Sequence, residues 1–212
     1  WFGTDNLGHD VRDMVIVGAR STLLVGFLSA ALATLIGVTI GALSGFAGGW
    51  LDDILMRVVE VVEIVPRFFL AVLLAAMFGP SVTVIVLLLG CTFWPDTARL
   101  LRAEILSLRQ RDFVLAERAL GLSEFTILRR HILPQTSAVV VITAALQVGS
   151  AVLVQAGLAF LGLADTATVS WGAMLQSAQN YIALAWWPAV FPGVAISLLV
   201  ISTNMAAAGM LA

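Results

Sequence analysis

The chain has 212 residues, 60% of them hydrophobic and 11% charged, with a formal net charge of −2. Soluble domains carry about 25% charged residues, so there are too few charges here to cover a water-facing surface, and a polytopic membrane protein is expected. All 11 basic residues are arginine; without lysine no Gly-Lys-Ser/Thr loop can cradle a nucleotide, and a lone cysteine, Cys91, excludes an internal disulfide and a cysteine-built metal site.

The chain opens at Trp1 without a secretory signal pattern, which reads as a piece of a longer chain whose first span lies upstream. Residues 1–20 are polar, then amphipathic, and Asp10 can cap a short helix from Val11. Thr22 to Gly45 carries no charge over 24 residues, long enough for the ~20-residue span that a ~30 Å hydrocarbon core requires. Its Gly26, Ala30, Gly37, Gly41 and Gly45 suit close helix packing in lipid. A turn over Gly45–Gly49 leads to a second helix, Leu51 to Phe78, with a charged first half and a kink at Pro66. Ser81 to Trp94 is apolar and continues past Pro95 as an amphipathic helix. There Ala98, Leu101, Ile105 and Leu108 share a face, with Arg99, Arg102 and Arg109 off it. Pro134 to Phe160 is a fourth span. Residues 161–187 form an aromatic-rich loop, and Pro188 to about Leu211 is the fifth span. The expected fold is all-α: a helix bundle with five spans in one domain over 1–212, with 96–133 as a cytoplasmic region within it.

Seven of the 11 arginines lie between Arg99 and Arg130, so the 99–131 loop is expected in the cytoplasm. Counting outward from it, residues 46–52 are also inside, and residues 1–20, 79–81 and 161–187 are outside.

The most distinctive stretch is Asp112 to Pro134. Asp112 can cap a helix from Phe113 to about Leu120, with Phe113, Ala116 and Leu120 as an apolar stripe. Gly121 is placed for a left-handed stop. Ser123 can cap a second short helix with Phe125, Leu128 and Ile132 on one face. Two short amphipathic helices meeting at a glycine read either as a solvated loop or as a contact for a partner.

Here the sequence resembles a family. An Ala-bearing helix, then Gly121, then Ile132-Leu133-Pro134 is similar to the EAA loop of membrane subunits of binding-protein-dependent ABC importers. GTDNLGHDV (Gly3 to Val11), GARSTLLVG (Gly18 to Gly26), GGWLDDILMR (Gly48 to Arg57), LAERALG (Leu115 to Gly121), RHILP (Arg130 to Pro134), AFLGL (Ala159 to Leu163) and SWGAML (Ser170 to Leu175) occur in the order seen in its dipeptide/oligopeptide/nickel branch. One departure is plain: the family's Glu six residues before the glycine is Leu115 here, and a Glu stands at 117.

The resemblance implies the core of a six-span permease in a bacterial or archaeal inner membrane. It would form half of a path for peptides or a similar small solute such as nickel. The implied partners are a second permease subunit, two ATPase subunits that hold ATP and Mg, an extracytoplasmic solute-binding protein and the lipid; no nucleic acid and no cofactor in this chain are implied. Asp112, Phe113, Leu115, Ala116, Glu117, Arg118, Ala119, Leu120 and Gly121 would then couple to an ATPase subunit, with Arg111, Glu117 and Arg118 as a polar rim.

Charges at membrane depth are functional candidates. Arg57, Glu60, Glu63 and Arg67 are candidates to line the path; the alternative is self-pairing, with Asp53–Arg57 and Glu63–Arg67 in the favoured acid-first order. In the outer loop, Trp171, Tyr181, Trp186 and Trp187 read as interface anchors or as a docking surface, with Ser170, Trp171 and Met174 as binding-protein candidates. His9 and His131 are far apart and expected on opposite sides of the membrane, so they do not form a metal site. A self-contained channel or secondary transporter and an intramembrane hydrolase remain as alternatives, although no histidine falls within a span.

Overall fold

A computed structural model describes residues 2–163, 165 and 168–210. Its first helix, α1 (Val11–Ala47), runs unbroken for 37 residues, with the Asp10 carboxylate accepting from the Arg12 amide. The short helix and the span expected separately are one element. Gly18, the one glycine between them, is held against the backbone of Ser170 and Trp171. At ~1.5 Å per residue α1 is about 55 Å long, so it extends beyond a hydrocarbon core.

Gly48 and Gly49, at φ +66° and +58°, reverse the chain into α2 (Gly49–Ile64). The single kinked helix expected to Phe78 is instead two, α2 and α3 (Arg67–Phe78), bent by 75°. Pro66 disfavours helical backbone at the residue before it, and Val65 is extended at φ −86°, ψ 124°. By contrast α4 (Val82–Leu108) passes through Pro95. Proline cannot donate to the carbonyl four residues back, and that carbonyl, Cys91 O, accepts from Trp94 Nε1 at 3.1 Å instead.

α1 packs on α4 along a glycine seam. A Cβ at Gly37 would lie 2.7 Å from Trp94 O, one at Gly41 2.6 Å from Ala98 O, and one at Gly45 3.0 Å from Arg102 O. The predicted face of Ala98, Leu101, Ile105 and Leu108 is buried there. At the end of the seam, Arg109 donates to Gly45 O at 3.1 Å and stacks over Phe46.

α8 (Ser137–Phe160) closes on α1 where Gly26 meets Val152. α10 (Trp187–Gly209) lies against α8 at Gly149; its predicted end at Leu211 is outside the described residues. The short α9 (Trp171–Ala178) caps the bundle opposite the Arg-rich end, Gly172 fitting against Ala156. Among the described residues, four helices are long and apolar enough to cross a membrane, and α2 with α3 makes a fifth when counted as one span. No strand forms there beyond an isolated Thr4–Asp10 bridge.

One polar side chain ties three helices together. Buried Gln147 of α8 donates to Phe93 O at 3.1 Å and Thr97 Oγ1 at 2.7 Å, and its Oε1 accepts from Thr34 Oγ1 at 3.2 Å. Interhelical hydrogen bonds in membranes average about 0.6 kcal/mol and reach about 1.7. Gln147→Leu, which removes three of them, is therefore expected to cost about 2 kcal/mol in total, read as a lower unfolding midpoint in mixed detergent, with the fold kept.

Candidate coupling surface and charged groove

At the Arg-rich end, α5 (Asp112–Ala119) begins after Arg111, so Asp112 is its first helical residue and not the cap. The Gln110 and Arg111 amides bond back to Ser107 and Leu108, and this turn starts the helix one residue early. Asp112 then acts through its charge on the helix N-terminus. The stop is as expected: Gly121 has φ +81°, with Leu122 N bonding Glu117 O at 3.1 Å and Gly121 N bonding Arg118 O at 3.0 Å. These paired bonds form a Schellman motif, which satisfies the last carbonyls of the helix. Ser123 caps α6 (Glu124–Ile127), its Oγ accepting from Thr126 N. A π turn (Leu128–Ile132) and α7 (Leu133–Gln135) then lead into α8.

Both faces of α5 are apolar, and they differ in what they meet. Val114 is fully buried, in one cluster with Ile105, Leu108, Ile127 and Ile132, and Phe113 and Leu122 pack against it. The opposite face, Leu115, Ala116, Ala119 and Leu120, is open, and Leu120 is 78% exposed. Phe125 on α6 is exposed as well. The expected stripe of Phe113, Ala116 and Leu120 is thus divided, because Phe113 turns inward and Leu115 takes its place outside.

Glu117 leaves the rim as well. It points inward to His131 Nδ1 at 2.7 Å, with its other oxygen unpartnered, so it bridges α5 to the π turn. Arg118 grips Glu124 with two bonds of 2.7 and 3.0 Å, which hold the Glu124 carboxyl below its usual range. These two pairs fasten α5 to the segment that becomes α8.

The charges of α2 and α3 pair in part as their local spacing suggests, and in part across to α4. Arg57 meets Glu60, not Asp53, at 3.0 Å on the outer face of α2. Glu63 and Arg67 are 3.8 Å apart, but each has a closer partner on α4. Arg67 binds Asp96 with both terminal nitrogens, at 2.5 and 2.7 Å, and Glu63 binds Arg99 at 2.5 Å. Nearer the Arg-rich end, Arg102 and Asp52 form a bidentate pair at 2.6 Å, and Asp52 also accepts from Ser44. Of the four path candidates, the structure brings Glu63 and Arg67 together and leaves Arg57 and Glu60 outside. Sequence reasoning missed Asp96, whose signal was an acid directly after Pro95, at the end of the apolar run from Val82 to Trp94. Glu63, Asp96 and Arg99 border a groove of about 440 Å³ floored by Thr143, Gln147 and Ser150 of α8.

At the opposite end, the three docking candidates are interior. Ser170 caps α9 through its Oγ, Trp171 Nε1 donates to Val15 O at 2.9 Å, and Met174 is buried. They fix α9 to the bundle, so they offer no outer surface. Trp171 is for the same reason not an interface anchor, and Trp187 donates to Thr4 O at 3.0 Å. The exposed rim is Tyr181, Ile182, Leu184 and Trp186. His9 pairs with Asp5 at this end, and His131 with Glu117 at the other.

A family model described as "Binding-protein-dependent transport system inner membrane component" matches residues 37–210. The chain is 36% identical to the dipeptide transport system permease protein DppC of Alkalihalophilus pseudofirmus, over 99% of this chain and 69% of that one. It is 37% identical to the probable D,D-dipeptide transport system permease protein DdpC of Escherichia coli, over 97% of this chain and 69% of that one. Among solved structures, the inward-facing MetNI methionine ABC transporter superposes with a TM-score of 0.74 at 19% identity, covering 93% of this chain and 94% of that one. At that identity the likeness is one of fold.

Proposed function

The chain belongs to the family of binding-protein-dependent transport system inner membrane components, as a multi-pass permease subunit of an ABC importer, and from that premise we propose that it carries short peptides and is driven through the open face of α5. Of the cargoes the resemblance implied, peptide rather than nickel is the one the relatives' names support.

The observation that carries the coupling role is the exposed stripe of Leu115, Ala116, Ala119 and Leu120 on a helix capped at its end and ion-paired to its neighbour. An apolar face of this kind, at the arginine-rich end of the bundle, fits an ATPase subunit in the cytoplasm. Closure of an ATPase pair would move α5 as a rigid body, and its links to the π turn would pass that motion to α8. A second permease subunit completes the path. The solute-binding protein docks on the opposite end, where the rim from Tyr181 to Trp186 is exposed.

The test is reconstitution of this permease in liposomes with its second permease, ATPases and binding protein. ATP-dependent uptake of a labelled dipeptide is the expected result. Uptake by this chain alone without ATP would overturn the importer reading, and ATP-driven uptake of other solutes but no peptide would overturn the cargo.

A further inference from the structure

The two ion-pair systems between α2–α3 and α4 differ in a way that separates bracing from binding. Asp52–Arg102 is closed: Asp52 is buried and takes Ser44 as well. In the other system, Asp96 and Arg99 have side chains 49% and 51% exposed, each held from behind by one partner, Arg67 and Glu63. A carboxylate accepts about four hydrogen bonds and a guanidinium donates five, so both groups keep capacity on the groove side. Charged side chains carried by membrane-spanning helices are costly and mark solute pathways, and Asp96 and Arg99 both stand within α4 (Val82–Leu108). The groove's volume lies within the range of about 300–1,000 Å³ usual for small-ligand sites.

The four groups sum to zero charge, which favours a solute carrying both signs over one carrying a single sign. Asp96 and Arg99 stand one helical turn apart, about 5–6 Å between Cβ atoms. A dipeptide matches that spacing: its two Cα atoms are about 3.8 Å apart, with the ammonium and the carboxylate one bond further out on either side. We propose that this groove is a subsite for the ionised ends of a short peptide, Asp96 receiving the ammonium and Arg99 the carboxylate. Glu63 and Arg67 hold these two side chains in place, and Gln147 fixes α8 behind them. The assignment rests on the peptide reading above.

The test is equilibrium binding to the assembled permease–ATPase complex in nanodiscs, without binding protein. The probes are dialanine, its C-terminal amide and its N-acetyl form. A lost charge-assisted contact is worth roughly tenfold or more. Dialanine should therefore bind at least about tenfold tighter than either blocked form. Arg99→Gln should abolish the preference over the amide while keeping that over the N-acetyl form; Asp96→Asn should do the reverse, and Arg99→Lys should keep both. A purely bracing role would weaken all three probes in parallel. No binding of dialanine, equal binding of the blocked forms, or a parallel loss would overturn the subsite. Uptake in liposomes reads the cargo separately, so a complex that imports dipeptide yet fails this binding test loses the subsite and keeps the function.

Discussion

Leu120→Asp combined with Leu115→Asp is expected to reduce ATP-driven uptake at least tenfold, roughly the effect of 1.4 kcal/mol, while the permease itself folds normally. Both side chains are open to solvent in this chain, with Leu120 78% and Leu115 53% exposed. Exposed substitutions usually stay within about 0.5 kcal/mol, and an acid at Leu120, the C-cap of α5, adds only about 0.3–1 kcal/mol against the helix dipole. An unpaired carboxylate pressed into an apolar partner groove costs far more, because a charge must be desolvated without compensation. The effect should therefore appear only in the assembly, as ATPase subunits that fail to co-purify. Val114→Asp makes the contrast: that residue is fully buried, so its change should destroy the permease before coupling can be measured. Normal uptake by the double variant would remove α5 from the drive train.

The second large effect is expected at the seam between α1 and α4. Gly41→Leu should abolish the folded permease. The first added carbon alone would sit 2.6 Å from Ala98 O and 3.1 Å from Ala98 Cα. These are backbone atoms, so no side-chain rotation relieves the clash, and the helices must part. Parting them also opens the contacts at Gly37 and Gly45. Overpacking a close-packed interior costs about 1–3 kcal/mol even when neighbours adjust, so Gly41→Ala should lower stability by about that amount. Gly193→Ala on α10, where no neighbouring atom lies within 4 Å, is the control and should be neutral. Unfolding midpoints in mixed detergent would order the three variants.

Where side-chain surroundings follow from spacing along one helix, the chain could be read directly. The buried face from Ala98 to Leu108, the left-handed Gly121 and the Ser123 cap are all local patterns of this kind. Errors arose where the neighbour comes from elsewhere in the chain. An eight-residue helix with apolar groups on both sides does not say which side is covered, and only the packing of Ile127 and Ile132 decides for Val114. Local spacing gives the Arg57–Glu60 and Glu63–Arg67 contacts, but not that the break at Pro66 turns Arg67 toward Asp96, 29 positions away. Trp171 resembles a surface anchor until α9 folds back on α1. The candidate coupling segment was therefore legible in place and boundaries, whereas its outward face and the charged groove needed the third dimension.

The π turn at Leu128–Ile132 carries a consequence for insertions and deletions. From Glu124 the chain winds through that turn and α7 into α8 with only Thr136 between. Pro134 cannot donate, and the wide turn closes with Leu133 N bonding Leu128 O. Such a turn holds one residue more than an α turn, and one residue sets a helix's phase by about 100°. Deleting one residue there would restore regular winding but rotate either α6 or α8 by that angle. Gln147 would then leave its partners on α1 and α4, or Ser123 would leave the end of α5. The number of residues between Gly121 and Pro134 is thus constrained by phase as well as by length, and tolerance to length change in this arginine-rich segment should be least where it looks most like a loop.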